Sequence, residues 1–255
     1  MPSSHRPLAE KLEPRVLLSA AVAPVELPQT VAIHRKGVLY IRGTAGADKV
    51  WVSRMILAND PLPDGPPFDE PAPPPKPPAA PAIIVGPPLS GQENDVYSIL
   101  VNDVGYYVDA KWIRSIHIYT LDGPDLISFG QMETGVYVEG GAGGDGIKGT
   151  LFNDTLIGGG GSDYIFASNG NDYVTGDNGN DTVVGGLGVD TVYGGRGNDL
   201  IGGGSIFPGD VSGDRVFGGA GNDVFDKDDS RRARKDFSTK DDSFGDVIRV
   251  DYPFY

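Results

Sequence analysis

Between Gly140 and Asp226 an apolar residue returns every ninth position in a field of glycine, asparagine and aspartate. Seven copies run without a break: GGAGGDGIK from 140, GTLFNDTLI from 149, GGGGSDYIF from 158, ASNGNDYVT from 167, GDNGNDTVV from 176, GGLGVDTVY from 185 and GGRGNDLIG from 194. The six residues GGSIFP interrupt, and GDVSGDRVF from 209 and GGAGNDVFD from 218 resume the cadence. The eighth position is apolar in every copy: Ile147, Leu156, Ile165, Val174, Val183, Val192, Ile201, Val216 and Phe225. A fixed short period of this kind is the signature of a stacked repeat. It predicts that the last three residues of each copy form a minimal strand with the middle side chain facing a core, and that the first six form a tight turn.

Upstream the pattern alternates in the manner of strands, at Val38–Ile41, Val50–Val52, Val96–Val101, Tyr106–Val108 and Ile113–Tyr119, with turns at Gly43–Asp48, Asn102–Gly105 and Asp109-Ala110. Helical periodicity is absent throughout. The segments around Asp48 and Asp125 share the G-x-D-x-apolar cadence and read as decayed copies of the repeat. Residues 58–90 hold 13 of the 21 prolines and read as an extended linker rather than a packed element.

The sixth position is aspartate in every copy: Asp145, Asp154, Asp163, Asp172, Asp181, Asp190, Asp199, Asp214 and Asp223. Asparagine or serine would turn the chain equally well, so turn formation alone does not account for a carboxylate at this place. Glycines at positions one, two and four permit φ > 0 and close approach of backbone to a ligand. The fourth position departs from glycine at Phe152 and Ser212, which marks those two turns as atypical. Residues 140–226 carry twelve aspartates against Lys148, Arg196 and Arg215, a net of −9, which calls for a counter-ion. Ca²⁺ takes six to eight oxygens at about 2.3 to 2.6 Å, so one turn with a single carboxylate and a few carbonyls is half a site and two stacked turns complete it. The carbonyl donors expected beside the carboxylates are those of turn residues such as Gly140, Gly143, Gly158, Gly161, Gly176, Gly179, Gly194 and Gly197.

Composition narrows the setting. The chain of 255 residues has a formal charge of −14, which disfavours nucleic acid and anionic membrane surfaces as partners. It has no cysteine, so no disulfide framework, zinc knuckle or thiol nucleophile exists, and a metal ion is the natural staple. No apolar run approaches the ~18 to 20 residues of a membrane span. Residues 1–30 have His5, Arg6, Lys11 and Arg15 ahead of a short apolar stretch, Val16 to Ala23, that ends in Ala21-Val22-Ala23, the outline of an export segment. Within it, Leu12-Glu13-Pro14-Arg15-Val16-Leu17-Leu18 resembles the LEPR-x-LL tract near the start of many large surface or secreted bacterial proteins, which implies export.

The nonapeptide pattern resembles the hemolysin-type (RTX) calcium-binding repeat, GGxGxDxUx. That resemblance implies a right-handed parallel β-roll, a calcium-filled solenoid in which two nonapeptides make one turn. It also implies two edges, with Asp145, Asp163, Asp181, Asp199 and Asp223 along one and Asp154, Asp172, Asp190 and Asp214 along the other. Asp145 then begins the first edge, and the GGSIFP insertion bulges from a turn without breaking the alternation. Counting the gaps between turns gives about seven Ca²⁺.

Motifs for catalysis are missing. There is no H-E-x-x-H, G-x-S-x-G or G-x-x-x-x-G-K-[ST] sequence, and His5, His34 and His117 are far apart. Asp226–Ser230 begins like an EF-hand but lacks its glycine and final glutamate. The sequence thus predicts an all-β protein: an export-like segment (1–30), a strand-rich region with a decayed repeat (31–57), the proline-rich linker (58–90), a second strand-rich region (91–139), the β-roll (140–226) and a C-terminal cap (227–255). The expected function is calcium binding coupled to folding in an exported structural or adhesive protein, with calcium and a cell-surface or matrix component as partners and no enzyme activity. The rival readings are a secreted enzyme with its catalytic part in the N-terminal half, and a metal-free interaction module using the proline tract.

Overall fold

The computed structural model describes residues 31–34, 36–57, 83–85, 94–204, 213–226, 234–236 and 243–245. They form a nine-stranded and an eleven-stranded sheet, and the chain passes back and forth between the two. Strands β1 (Val31–His34) and β2 (Val38–Arg42) form an antiparallel pair in the first sheet, and the chain crosses at Gly43–Asp48 to β3 (Lys49–Leu57) in the second. There it leaves the winding. Strands β4 (Ile83–Val85), β5 (Asn94–Val101) and β6 (Val104–Asp109) extend the second sheet beyond β3, with β5 antiparallel to both β3 and β6. Asn102 and Asp103 turn β5 into β6 with φ of 48° and 66°, the pair of left-handed residues that a two-residue hairpin loop needs. Val104 and Gly105, read from sequence as turn, pair in the ladder instead. A short 3-10 turn, η1 (Ala110–Trp112), is capped by Asp109, whose carboxylate accepts from the Lys111 N–H at 3.1 Å.

The winding then resumes. Strand β7 (Ser115–Asp122) lies parallel to β2, and β8 (Leu126–Phe129) lies parallel to β3. From there β9 (Val136–Ala142), β11 (Thr155–Gly160), β13 (Tyr173–Asn178), β15 (Thr191–Arg196) and β17 (Arg215–Ala220) add to the first sheet. Strands β10 (Gly146–Lys148), β12 (Tyr164–Asn169), β14 (Thr182–Leu187), β16 (Leu200–Gly202) and β18 (Val224–Asp226) add to the second. Strands β19 (Arg234–Asp236) and β20 (Ser243–Gly245) continue the two sheets, and every pairing from β7 onward is parallel. This is a parallel β-roll. Both of its sheets run upstream past residue 140 without a break, to β2 and β3.

The eighth-position side chains stack in two files that face one another, and that is the core. Val138, Leu156, Val174, Val192 and Val216 come from the first sheet, and Ile127, Ile147, Ile165, Val183, Ile201 and Phe225 from the second, all fully buried. The strands are longer than the pattern predicts. In β11, β12, β13, β14, β15 and β17 the ladder continues through positions one to three of the next copy, skipping position one: Ile157 pairs with Thr175 and Gly159 with Asp177, but Gly158 has no opposite number. The chain bends at that point. The tight turn is therefore confined to positions four to six.

The insertion is also displaced from where the sequence suggested. Gly203 and Gly204 fill positions one and two of the Asp214 turn: Gly204 has φ +110° and packs on Gly186, as position-two glycines do on the coil before. Gly203 and Gly204 thus belong to the Asp214 turn rather than to the interruption. Ser212, the export-like segment, most of the proline tract and the EF-hand-like residues after Asp226 lie outside the described residues.

Ile165 sits between Ile147 and Val183 in the second file, with no solvent exposure. Ile165→Ala is expected to destabilise the calcium-loaded protein by about 2 to 5 kcal/mol, the usual cost of emptying a close-packed aliphatic site. Urea unfolding in excess calcium measures it, and a loss below about 1 kcal/mol would contradict a continuous core.

Candidate metal centre

Every position-six aspartate is buried, with between 0 % and 3 % of its surface exposed, and so are Asp48 and Asp125 at 1 % and 4 %. They are brought together by one repeated bond. The Asp145 N–H donates to Oδ1 of Asp163 at 2.8 Å, Asp163 to Asp181 at 2.8 Å, Asp181 to Asp199 at 2.9 Å and Asp199 to Asp223 at 3.0 Å. On the other edge Asp154 donates to Asp172, Asp172 to Asp190 and Asp190 to Asp214, at 2.8, 2.8 and 2.9 Å. The step is 18 residues along each edge and 24 where the insertion falls, so the alternation survives it. The structure thus places all nine aspartates on the two edges expected.

It also adds two. The Asp48 N–H donates to Asp125 Oδ1 at 2.7 Å and the Asp125 N–H to Asp145 Oδ1 at 2.9 Å. Asp145 does not begin its edge, as the sequence reading had it, because two earlier coils stack beneath. The signal was the shared cadence around Asp48 and Asp125. It went unused because 77 residues separate Asp48 from Asp125, far more than a coil.

Backbone N–H groups hold Oδ1 from Asp125 onward, whereas Oδ2 is left without such a bond in several turns. In Asp125, Asp145, Asp163, Asp172, Asp181 and Asp199 it is buried with no hydrogen-bond partner. A bare carboxylate oxygen away from water is costly unless a cation faces it. Its room comes from position one: a Cβ at Gly185 would fall 2.5 Å from Oδ2 of Asp190, and one at Gly203 2.6 Å from that of Asp214. In the Asp172 turn Ala167 stands here, fully buried. The position-one glycines Gly140, Gly158, Gly176 and Gly194 all line the first edge. The Gly140 carbonyl accepts from Thr120 Oγ1 at 2.8 Å. At position four, Gly143, Gly161, Gly179 and Gly197 have φ between +134° and +148°. The carbonyl of each lies so near the position-four glycine of the next coil that a side chain there would collide with it. Backbone oxygens therefore crowd the gap between coils, beside the carboxylates.

This donor set is all oxygen, one carboxylate per turn with carbonyls around it, and it suits a hard, flexible-geometry cation such as Ca²⁺. Among the described residues no three His, Cys, Asp or Glu side chains gather at one point. His117 stacks on Tyr137 at 5.2 Å on the outer face, away from the aspartates.

Comparison with protein families decides the class of these turns. The family model of the RTX calcium-binding nonapeptide repeat (4 copies) matches residues 139–174, 175–205 and 209–226. The chain carries RTX repeats. They indicate calcium binding, and the repeat family is structural rather than catalytic. No curated protein and no solved structure matches the chain. Among the described residues no helix is long and apolar enough to cross a membrane.

Burial dominates the electrostatics of the RTX turns. It pushes the Asp172 carboxyl up to about 8, those of Asp163 and Asp199 to about 7 and those of Asp125 and Asp154 to about 6, against the opposing pull of the backbone N–H bonds. The carboxylates of neighbouring coils push Asp163, Asp172 and Asp199 further the same way, and Asp145 and Asp181 are raised by burial too. With folded values above the unfolded carboxylate value of about 4, the metal-free fold binds more protons than the unfolded chain across this range. The stabilisation is full below about pH 4 and is lost as pH rises through about 6 to 8. In chelator, circular dichroism is therefore expected to show more β-structure at pH 5 than at pH 8, and the reverse order would show that these carboxylates do not titrate as buried groups.

Proposed function

We propose that the protein is an exported structural or adhesive β-roll in which calcium binding to the aspartate edges drives the folding of residues 140–226. The observation that carries this reading is the row of buried carboxylate oxygens with no partner in the protein. Like-charged groups 18 residues apart stack into one low-dielectric edge, and a divalent cation in each gap removes both the repulsion and the desolvation penalty. Asp145, Asp154, Asp163, Asp172, Asp181, Asp190, Asp199, Asp214 and Asp223 are the proposed carboxylate ligands, assisted by the carbonyls of glycines such as Gly143, Gly161, Gly179 and Gly197. Asp125, stacked on Asp145 with the same bare Oδ2, joins them. About seven ions per chain follow from the gaps between the nine turns of residues 140–226, and the gap between Asp125 and Asp145 offers one more. Export fits the Ala21-Val22-Ala23 ending and the LEPR-x-LL-like tract, and a calcium-rich exterior fits a roll of low-charge-tolerance edges. A cell-surface or matrix component is the proposed partner.

Glycine-rich, self-repelling repeats have a large ordering entropy to overcome, so the repeat segment is expected to be largely disordered in chelator at neutral pH and β-rich in millimolar calcium. Mg²⁺ at the same concentration is expected not to substitute, being smaller and reluctant to exchange water for carbonyl cages. Circular dichroism during the two titrations tests both statements. The same spectrum in chelator and in calcium would sink the coupling, and equal folding by Mg²⁺ would sink the site assignment.

Asp181 lies between the turns of Asp163 and Asp199, so Asp181→Ala removes a carboxylate from the middle of a stack whose stability spreads by nearest-neighbour contact. It is expected to raise the calcium midpoint for folding severalfold and to lower the steepness of the titration. A midpoint and slope equal to the parent's would mean that this carboxylate is not a ligand.

A further inference from the structure

Two turns on the edges differ from the rest. Residues 43–48, Gly-Thr-Ala-Gly-Ala-Asp, and residues 149–154, Gly-Thr-Leu-Phe-Asn-Asp, both have threonine at position two. In the Asp154 turn the Thr150 N–H donates to Oδ2 at 2.6 Å and its Oγ1 to Oδ1 at 2.9 Å, and the Val136 N–H also donates to Oδ1 at 2.8 Å. In the Asp48 turn the Thr44 N–H donates to Oδ2 at 2.6 Å and Thr44 Oγ1 to Oδ1 at 3.1 Å, with Asn102 Nδ2 as a further donor to Oδ1. Each of these carboxylates thus has three donors and both oxygens satisfied. Oδ2 is the atom left bare in Asp125, Asp145, Asp163, Asp172, Asp181 and Asp199.

The backbone follows the same division. Position two is left-handed at Gly141, Gly159, Gly186, Gly195, Gly204 and Gly219, and also at Leu121, Ser168 and Asp177, with φ of 79°, 86° and 72°. Thr44 and Thr150 are not among the left-handed residues. An unstrained φ there aims the threonine N–H and hydroxyl inward at the carboxylate. A second short bond locks the arrangement: Oγ1 of Thr150 accepts from the Phe152 N–H at 3.1 Å, and Oγ1 of Thr44 from the Gly46 N–H at 3.2 Å. Several neutral donors offset part of the burial penalty on such a carboxylate and so take over part of what a counter-ion would do. The locations are telling as well. Among the described residues Asp48 is the earliest aspartate on its edge, and Asp154 is the earliest on the other, where Val136 occupies the place an aspartate would take in the coil before.

We infer that threonine at position two is the residue that decides whether a turn takes a cation: Thr44 and Thr150 close their turns with protein donors, so the Asp48 and Asp154 turns order without calcium. Each edge then starts on a metal-independent turn against which the calcium-dependent coils assemble. This rests on the calcium reading above, and it selects among its turns. It removes Oδ2 of Asp154 from the ligands proposed there, because that oxygen is occupied by the Thr150 N–H.

The test is calcium stoichiometry of the full chain at saturation, measured by equilibrium dialysis, for the parent, Phe152→Gly, and Thr150→Gly combined with Phe152→Gly. The double variant restores the G-G-x-G-x-D wording and is expected to bind one more ion than the parent, whereas Phe152→Gly alone binds the same number. An unchanged count in the double variant overturns the inference, and so does a gain with Phe152→Gly alone, which would assign the closure to the phenylalanine. A parent that binds no calcium would instead end the functional reading, so the two failures are distinct. If the double variant does not fold, hydrogen exchange of the parent in chelator decides. The amides of Thr44 and Thr150 are expected to exchange at least tenfold more slowly than those of Asp163 and Asp181, and equal rates overturn the inference.

Discussion

At Asp145, Asp163, Asp172, Asp181 and Asp199 a carboxylate is buried in the turn, and its two oxygens have unequal fates. One accepts the N–H of the aspartate one coil earlier and so fixes the rise and register of the stack. The other points into the turn over the position-one residue. The first bond is local geometry, available to any sequence with a short acceptor at position six. The second oxygen makes the charge itself a liability in a medium of low dielectric, since a buried ion without a partner is far more costly than a surface one. Glycine at positions one and four follows from this demand. The coils approach until carbonyl and Cα touch, and a side chain at position four would meet the carbonyl of the coil before.

How much of this was readable without coordinates depended on whether a feature was local to nine residues. The files of Leu156, Val174 and Val192, and of Ile147, Ile165 and Val183, are visible in the sequence as one apolar letter per copy, and the structure puts each in the core. The nine aspartates were legible for the same reason. Strand length was not, because glycine at positions one to three signals turn by composition while the parallel ladder of the neighbours still pairs positions two and three. The place of the insertion was missed because GGSIFP opens with two glycines. The packing of Gly204 on Gly186, and of Gly203 beside Asp214, shows that they belong to the turn and not to the interruption.

The upstream coils show where local reading fails altogether. Asp48 and Asp125 lie in the same row as Asp145, yet the chain between the first two makes the excursion through β5 and β6. Pairing over such a separation leaves no periodic trace. The antiparallel strands of that excursion have a physical role, since β5 pairs with β3 and β1 pairs with β2 where the parallel winding starts. An open parallel edge would otherwise present unpaired backbone groups to any other chain. The same excursion supplies Asn102, whose side-chain amide serves the Asp48 carboxylate, so the covering of the edge and the closing of its earliest turn are one structure.

The coil step of 18 residues becomes 24 across the insertion while the strands on either side keep their pairing, Val192 on Val216 and Ile201 on Phe225. A roll of this kind therefore has an address system. Residues inserted at a corner leave every later strand in its place, whereas one residue added within a strand would turn the core-facing file outward for the rest of that coil. Lineages that lengthen such a protein can do so by whole coils or by loops at corners, and the corners are where new binding surfaces can be grafted without renegotiating the core.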